Sequence, residues 1–124
     1  MSEISAKNPL SVLLRAASIG CVLALAILAW LPAKDLVRTT LGGHAEHFIA
    51  YLGTSTIMGL AFRKSPRLVV LCALLIMYAA ILEMGQLYSP GRHASFQDFA
   101  FGSAGAVAGT SGWLLWTARS RLLP

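Results

Sequence analysis

Four continuous apolar runs, Leu13–Leu31, Phe48–Phe62, Leu68–Tyr88 and Phe99–Thr117, take up most of a chain of 124 residues. Each is close to the roughly 20 residues that carry an α-helix across about 30 Å of hydrocarbon, the second being the shortest. Runs this long and this continuous argue against a transmembrane β-barrel, whose strands alternate over roughly 10 residues. Charged residues make up only 12% of the chain, where a soluble domain carries about 25%. The expected fold is therefore all-α: an integral membrane four-helix bundle with helices at about 13–31, 45–62, 68–88 and 96–117. Residues 1–124 leave room for a single domain.

The net charge of +5 would suit a nucleic-acid partner, but its placement suits a membrane. Lys7, Arg15, Arg63, Lys64, Arg67, Arg119 and Arg121 fall on one side of a four-span topology, and Lys34, Arg38 and Arg92 on the other. Lys and Arg collect on the cytoplasmic side, so both termini are expected there and no nucleic acid is expected as a partner. The first run is long for the apolar core of a cleaved signal peptide, despite the small residue in Leu31-Pro32-Ala33, and reads as an uncleaved anchor. Cys21 and Cys72 fall inside runs and read as small apolar residues, with no disulfide, metal or cofactor implied.

Between the runs the signals are local. Residues 1–12 are polar and expected to fray. Ala17, Gly20 and Ala24 offer a small-residue face on the first helix. Trp30 suits the outer interface, and Pro32–Gly43 reads as an external loop with a helical turn around Lys34–Thr40. Residues 62–67 make a tight cytoplasmic turn. Ser89-Pro90-Gly91-Arg92 makes an external one, proline fixing one φ and glycine permitting a positive one. Trp113, Trp116, Arg119 and Arg121 are expected to anchor the fourth helix at the cytoplasmic interface.

The ionisable residues gather at one end of this arrangement. His44, Glu46 and His47 open the second helix, Glu83 and Gln86 close the third, Arg92 and His93 occupy the turn, and Asp98 opens the fourth. His44, His47, Tyr51 and Thr54 step by three and four, so one stripe of the second helix is polar for nearly three turns. Asp98, Gly102, Gly105, Gly109 and Gly112 step likewise, and Gly105-x-x-x-Gly109 is a small-residue packing motif. Such a stripe lets the fourth helix pack closely and deliver Asp98 to the interior, while Glu46 is expected to point elsewhere.

Simpler roles stand beside these. Ser95-Phe96-Gln97-Asp98 fits a capping box, so Asp98 can serve the helix start alone. His44 and Glu46 suit a solvated interface, Arg92 a loop near headgroups, and Tyr51 and Thr54 packing. Glu83 resists such a reading: a carboxylate at mid-helix costs about 2.5–3.5 kcal/mol on insertion scales, less near the interface, and calls for a partner. His47 and Arg92 are the expected partners.

His47-x-x-x-Tyr51, Glu83-x-x-Gln86, Pro90-Gly91-Arg92-x-x-Ser95-x-x-Asp98 and Gly105-x-x-x-Gly109, in this order and spacing, resemble the VanZ-like family of small bacterial membrane proteins. The resemblance runs from about His44 to Gly109. It departs at Gly43-His44, where the family has an Asp-Lys pair, and at Gly102, where it has an asparagine. The resemblance implies a multi-pass protein of the bacterial cytoplasmic (inner) membrane and a link to cell-envelope glycan chemistry, the founding member being associated with teicoplanin-type glycopeptide antibiotic resistance.

The leading functional expectation is binding or handling of a lipid-linked or anionic envelope component, such as a lipid-linked glycan or a glycopeptide, at the outer face. Its site is expected to comprise His47, Tyr51, Glu83, Gln86, Arg92, Ser95 and Asp98, with Arg92 holding an anion through its forked donors. The alternatives are an intramembrane hydrolase or transferase with Glu83, Asp98 and His47 in acid–base roles, and a small structural subunit docking on an envelope enzyme or on a second copy. A divalent metal on His44, His47, Glu83 and Asp98 is the weaker variant of the enzyme reading, because the zinc-hydrolase pattern His-Glu-x-x-His is absent.

Overall fold

The computed structural model describes residues 8–63 and 65–122. They form four α-helices, α1 (Pro9–Trp30), α2 (Gly43–Phe62), α3 (Ser65–Gly85) and α4 (Phe96–Leu122), with single 3₁₀ turns at Ala33–Asp35 and Gln86–Tyr88. Among the described residues there is no strand. Lys7 and Lys64, two of the cations in the charge count, lie outside the described residues.

Helix α1 starts earlier than expected. The Asn8 side chain caps it by accepting the Leu10 N–H at 3.1 Å, and Pro9 sits in the first turn, where its missing N–H costs nothing. Residues 9–12 are thereby helical rather than frayed. Helix α2 ends on Arg63, whose φ of 49° is in the left-handed region usually left to glycine. Its Nε donates to the Leu60 carbonyl at 3.1 Å and holds the side chain across the helix end.

Two helical stretches, Pro9–Trp30 and Pro66–Tyr88, are long and apolar enough to cross a membrane. Helices α2 and α4 fall short of that apolarity: α2 opens on His44, Glu46 and His47, and serine, threonine and glycine take many positions in both. Those small residues face each other: α2 and α4 share the most extensive helix–helix contact in the molecule. A Cβ on Gly102 would sit 3.0 Å from the Tyr51 ring, one on Gly105 would run into the Phe48 carbonyl oxygen, and one on Gly109 would meet the Ser55 hydroxyl. Gly112 has nothing within 4 Å and does not belong to this contact. Trp113 takes its place, its ring lying where a Cβ on Gly59 would approach to 2.8 Å. Trp113 is thus a packing residue, while Trp116, Arg119 and Arg121 are exposed.

The small-residue face expected on α1 is also displaced. Ser18, Leu25 and Ala29 are buried, whereas Gly20 and Ala24 are exposed. Leu25 and Ala29 join Tyr51, Leu75, Ala79, Leu82 and Ala106 in the core. Helices α1 and α3 are further pinned by the Tyr78 hydroxyl, which donates to the Val22 carbonyl at 2.8 Å. Tyr78→Phe should therefore lower stability by about 0.5–1.5 kcal/mol, measured by thermal melting in detergent; an unchanged melt would remove this bond from the account. Cys21 and Cys72 are free and half-buried.

The site-bearing end is laced together by the loops. Ser89 Oγ donates to the Trp30 carbonyl at 2.6 Å, and the Ala33 N–H to the Pro90 carbonyl at 3.2 Å. The Ser89–Arg92 turn closes with the Arg92 N–H on the Ser89 carbonyl at 3.1 Å, Gly91 supplying a φ of 74°. The helical turn expected up to Thr40 is limited to Ala33–Asp35, and Leu36 is already extended. Glu46 then fixes the loop by accepting both the Thr39 N–H and the Thr39 hydroxyl, each at 2.6 Å.

Candidate functional site

The start of α4 decides the geometry. Ser95 caps it, its Oγ accepting the Asp98 N–H at 3.2 Å and its carbonyl accepting the Phe99 N–H at 3.1 Å. In a complete capping box the Asp98 carboxylate would reach back to the Ser95 N–H. Here that N–H is taken by Glu83 Oε1 of α3, at 2.6 Å. Glu83 is only 6% exposed and Gln86 2%; Gln86 Nε2 lies 3.5 Å from the other Glu83 oxygen. The partner that Glu83 required is thus a backbone amide rather than His47 or Arg92.

Relieved of capping, the Asp98 carboxylate turns to α2. His44 Nδ1 is 2.8 Å from its Oδ1 and His47 Nδ1 is 3.8 Å from the same atom. His47 Nδ1 also lies 2.8 Å from the Gly43 carbonyl. A carbonyl and a carboxylate only accept, so both Nδ1 atoms carry hydrogen and each Nε2 is left for another partner. The His44 ring is stacked on Phe101 with centroids 5.1 Å apart. Glu46, occupied by Thr39, takes no part in this pairing.

Two cavities of about 240 Å³ each meet at this end and share the wall formed by Leu36, Glu46, His47, Gln86 and Arg92. The inner one runs between α1, α2 and α3, past Leu25, Leu28, Ala29, Ala50, Tyr51, Leu82 and Glu83. The outer one is the more polar of the two and includes Arg38, Gly43, His93, Ser95 and Asp98 beside the shared Glu46, His47 and Arg92. Glu83 and Asp98 therefore border different cavities, linked through Ser95. Arg92 Nη1 is buried with no hydrogen-bond partner. Arg38 Nη1 lies 3.3 Å and Asp98 Oδ1 3.8 Å from the point a Cβ on Gly43 would occupy. Among the described residues, neither Arg38 nor Arg92 forms an ion pair.

The structure thus brings His47, Tyr51, Glu83, Gln86, Arg92, Ser95 and Asp98 around two adjoining spaces. Thr54 lies deeper, with its hydroxyl donating to the Ala50 carbonyl at 2.8 Å. Arg38 and the loop residue Leu36 were not foreseen as site residues; they sit in a loop without periodicity, and only the charge of Arg38 marks it. Among the described residues, no group of three or more His, Cys, Asp or Glu side chains is placed to hold a metal ion. The chemistry on offer is anion binding by guanidinium and proton exchange along the Asp98–imidazole pairs. Comparison with protein-family models, curated proteins and solved structures gives no match.

Proposed function

We propose that this chain is a VanZ-like, multi-pass four-helix protein of a bacterial cytoplasmic membrane, with both termini on the cytoplasmic side. Its site at the outer face binds an anionic, lipid-linked component of the cell envelope. The observation that carries the reading is Arg92, which lines both cavities and whose Nη1 is buried without a hydrogen-bond partner. A buried guanidinium nitrogen is costly to leave unpaired, and an anionic headgroup supplies the acceptor. The two apolar helices and the excess of Lys and Arg at the opposite end support the membrane setting.

Arg92→Gln keeps a donor and much of the volume while removing the charge. Calorimetric titration of dodecyl phosphate into the purified protein, held in nonionic detergent, should show at least a tenfold weaker affinity, since charge-assisted bonds are worth about 1.5–3 kcal/mol. Equal binding by wild type and Arg92→Gln would remove the basis of the proposal. A second reading, acid–base chemistry on the bound component, is favoured by the Asp98–His44 pair; it requires turnover that disappears in Asp98→Asn while binding persists.

A further inference from the structure

The outer cavity is balanced in charge before anything binds. Arg38 and Arg92 bring two positive charges to its wall, and Glu46 and Asp98 bring two negative ones. Glu83, on α3 and bordering the adjoining cavity, adds a further negative charge whenever it is ionised. Helix α1 lends only Leu25, Leu28 and Ala29 to this end, so it offers no compensation. An anion that meets the unpartnered Arg92 Nη1 therefore brings a charge that the fixed groups do not offset. Away from bulk water such an excess is costly. Imidazoles are the side chains that can gain a positive charge near neutral pH.

Three imidazoles stand at this end. His93 lines the outer cavity but is exposed on the turn, where solvent and salt screen its charge. His44 lines neither cavity: it is exposed, stacked on Phe101, and reaches Asp98 from outside. His47 lines both cavities and is half-buried. Its Nδ1–H is held by the Gly43 carbonyl at 2.8 Å, with Asp98 Oδ1 3.8 Å away. A further proton therefore goes to Nε2, which has no hydrogen-bond partner among the described residues. We infer, resting on the reading just proposed, that the anion binds together with a proton, taken from solvent by His47 Nε2. In the empty site Arg38 and Arg92 oppose a third cation. A bound anion offsets them and lets the carboxylates of Glu46, Glu83 and Asp98, one from each of three helices, hold the imidazolium. Binding is then tightest at a pH where His47 already carries the proton. It weakens by up to about tenfold per pH unit where the proton must be captured, and levels off where the complex no longer holds it.

The test is calorimetric titration of octyl sulfonate into the full chain in nonionic detergent, from about pH 5.5 to about pH 8.5. A sulfonate keeps its charge over this range, whereas a phosphomonoester itself takes up a proton at about pH 6. Titration at each pH in two buffers of different ionisation enthalpy counts the protons that enter on binding. The wild-type affinity should fall at least about fivefold from the lowest to the highest pH, with uptake peaking in between at about a third of a proton or more. His47→Asn keeps an N–H for the Gly43 carbonyl and removes the titrating nitrogen, so uptake should vanish and the affinity should no longer fall with pH. Wild-type binding of equal strength across the range, with no uptake and with Arg92→Gln still weakening it, overturns the proton and leaves the anion site standing. Binding that Arg92→Gln does not weaken, or no binding at any pH, overturns the anion site and the inference with it. Uptake that survives His47→Asn overturns the assignment to that ring. Should His47→Asn fail to fold, His44→Asn and His93→Asn decide instead, and uptake lost in either overturns the assignment.

Discussion

Gly105→Leu should abolish the folded protein, or leave it melting far below wild type. A Cβ at this position would collide with the Phe48 carbonyl oxygen and lie 3.0 Å from the Leu52 backbone nitrogen. Overpacking typically costs about 1–3 kcal/mol when neighbouring side chains can move aside. Here the obstacle is the backbone of α2, which moves only as a whole helix, so about 3 kcal/mol or more is expected. In the membrane setting proposed above, little hydrophobic force drives helix against helix, and close backbone approach through small residues becomes a main source of association. Gly112→Ala is the internal control: with nothing within 4 Å of its added methyl, the change should not destabilise and should gain up to about 1 kcal/mol of helix propensity. Thermal melting in detergent, followed by helical circular dichroism and by recovery as a monodisperse species, measures both. Equal melts for Gly105→Leu and Gly112→Ala would mean that the α2–α4 contact does not hold the molecule together.

The same helix shows which features can be read from sequence and which cannot. Counting steps of three and four picked out Gly102, Gly105 and Gly109 correctly, but such a count drifts around a helix of 3.6 residues per turn. From Gly102, a step of 11 residues is close to three full turns and lands on Trp113, which fills the contact with Gly59 at that level, whereas Gly112 has nothing within 4 Å. Helix α1 offered less, because it is apolar all round and has no polar face to mark its outward side. Small residues were then a poor guide, and the buried positions are Ser18, Leu25 and Ala29. The Ser89–Arg92 turn was legible because proline and glycine act through their own backbone angles. The partner of Glu83 was not legible. Charge and chemistry suggest side-chain partners, whereas the Ser95 N–H is a group that nearly every residue possesses, and only the fold brings it within 2.6 Å. Arg38 was hidden for a related reason: the loop is shaped by Glu46 and Thr39, which no periodicity announces.

Glu83→Ala should damage stability and ligand binding together, through Asp98. The substitution leaves the Ser95 N–H, a part-buried donor, without its acceptor, at a cost of about 1–3 kcal/mol. The nearest chemically suitable replacement is the Asp98 carboxylate, which already stands in capping-box register with Ser95. If it turns back to complete the box, it recovers part of the loss but gives up His44 at 2.8 Å and withdraws from the outer cavity. Glu83→Gln keeps an oxygen in place to accept the N–H and should lose less than Glu83→Ala, so the pair separates loss of the acceptor from loss of charge. The coupling is directly measurable. Asp98→Asn breaks the His44 pairing in the wild-type background but weakens the rescued cap in the Glu83→Ala background, so the two substitutions should be non-additive by about 0.5–3 kcal/mol. Melting curves of the four proteins give that number, and dodecyl phosphate titrations give its functional counterpart. Additivity within about 0.3–0.5 kcal/mol would show that Glu83 and Asp98 act independently. Non-additivity would mean that a buried acid on α3 sets what an acid on α4 is free to bind.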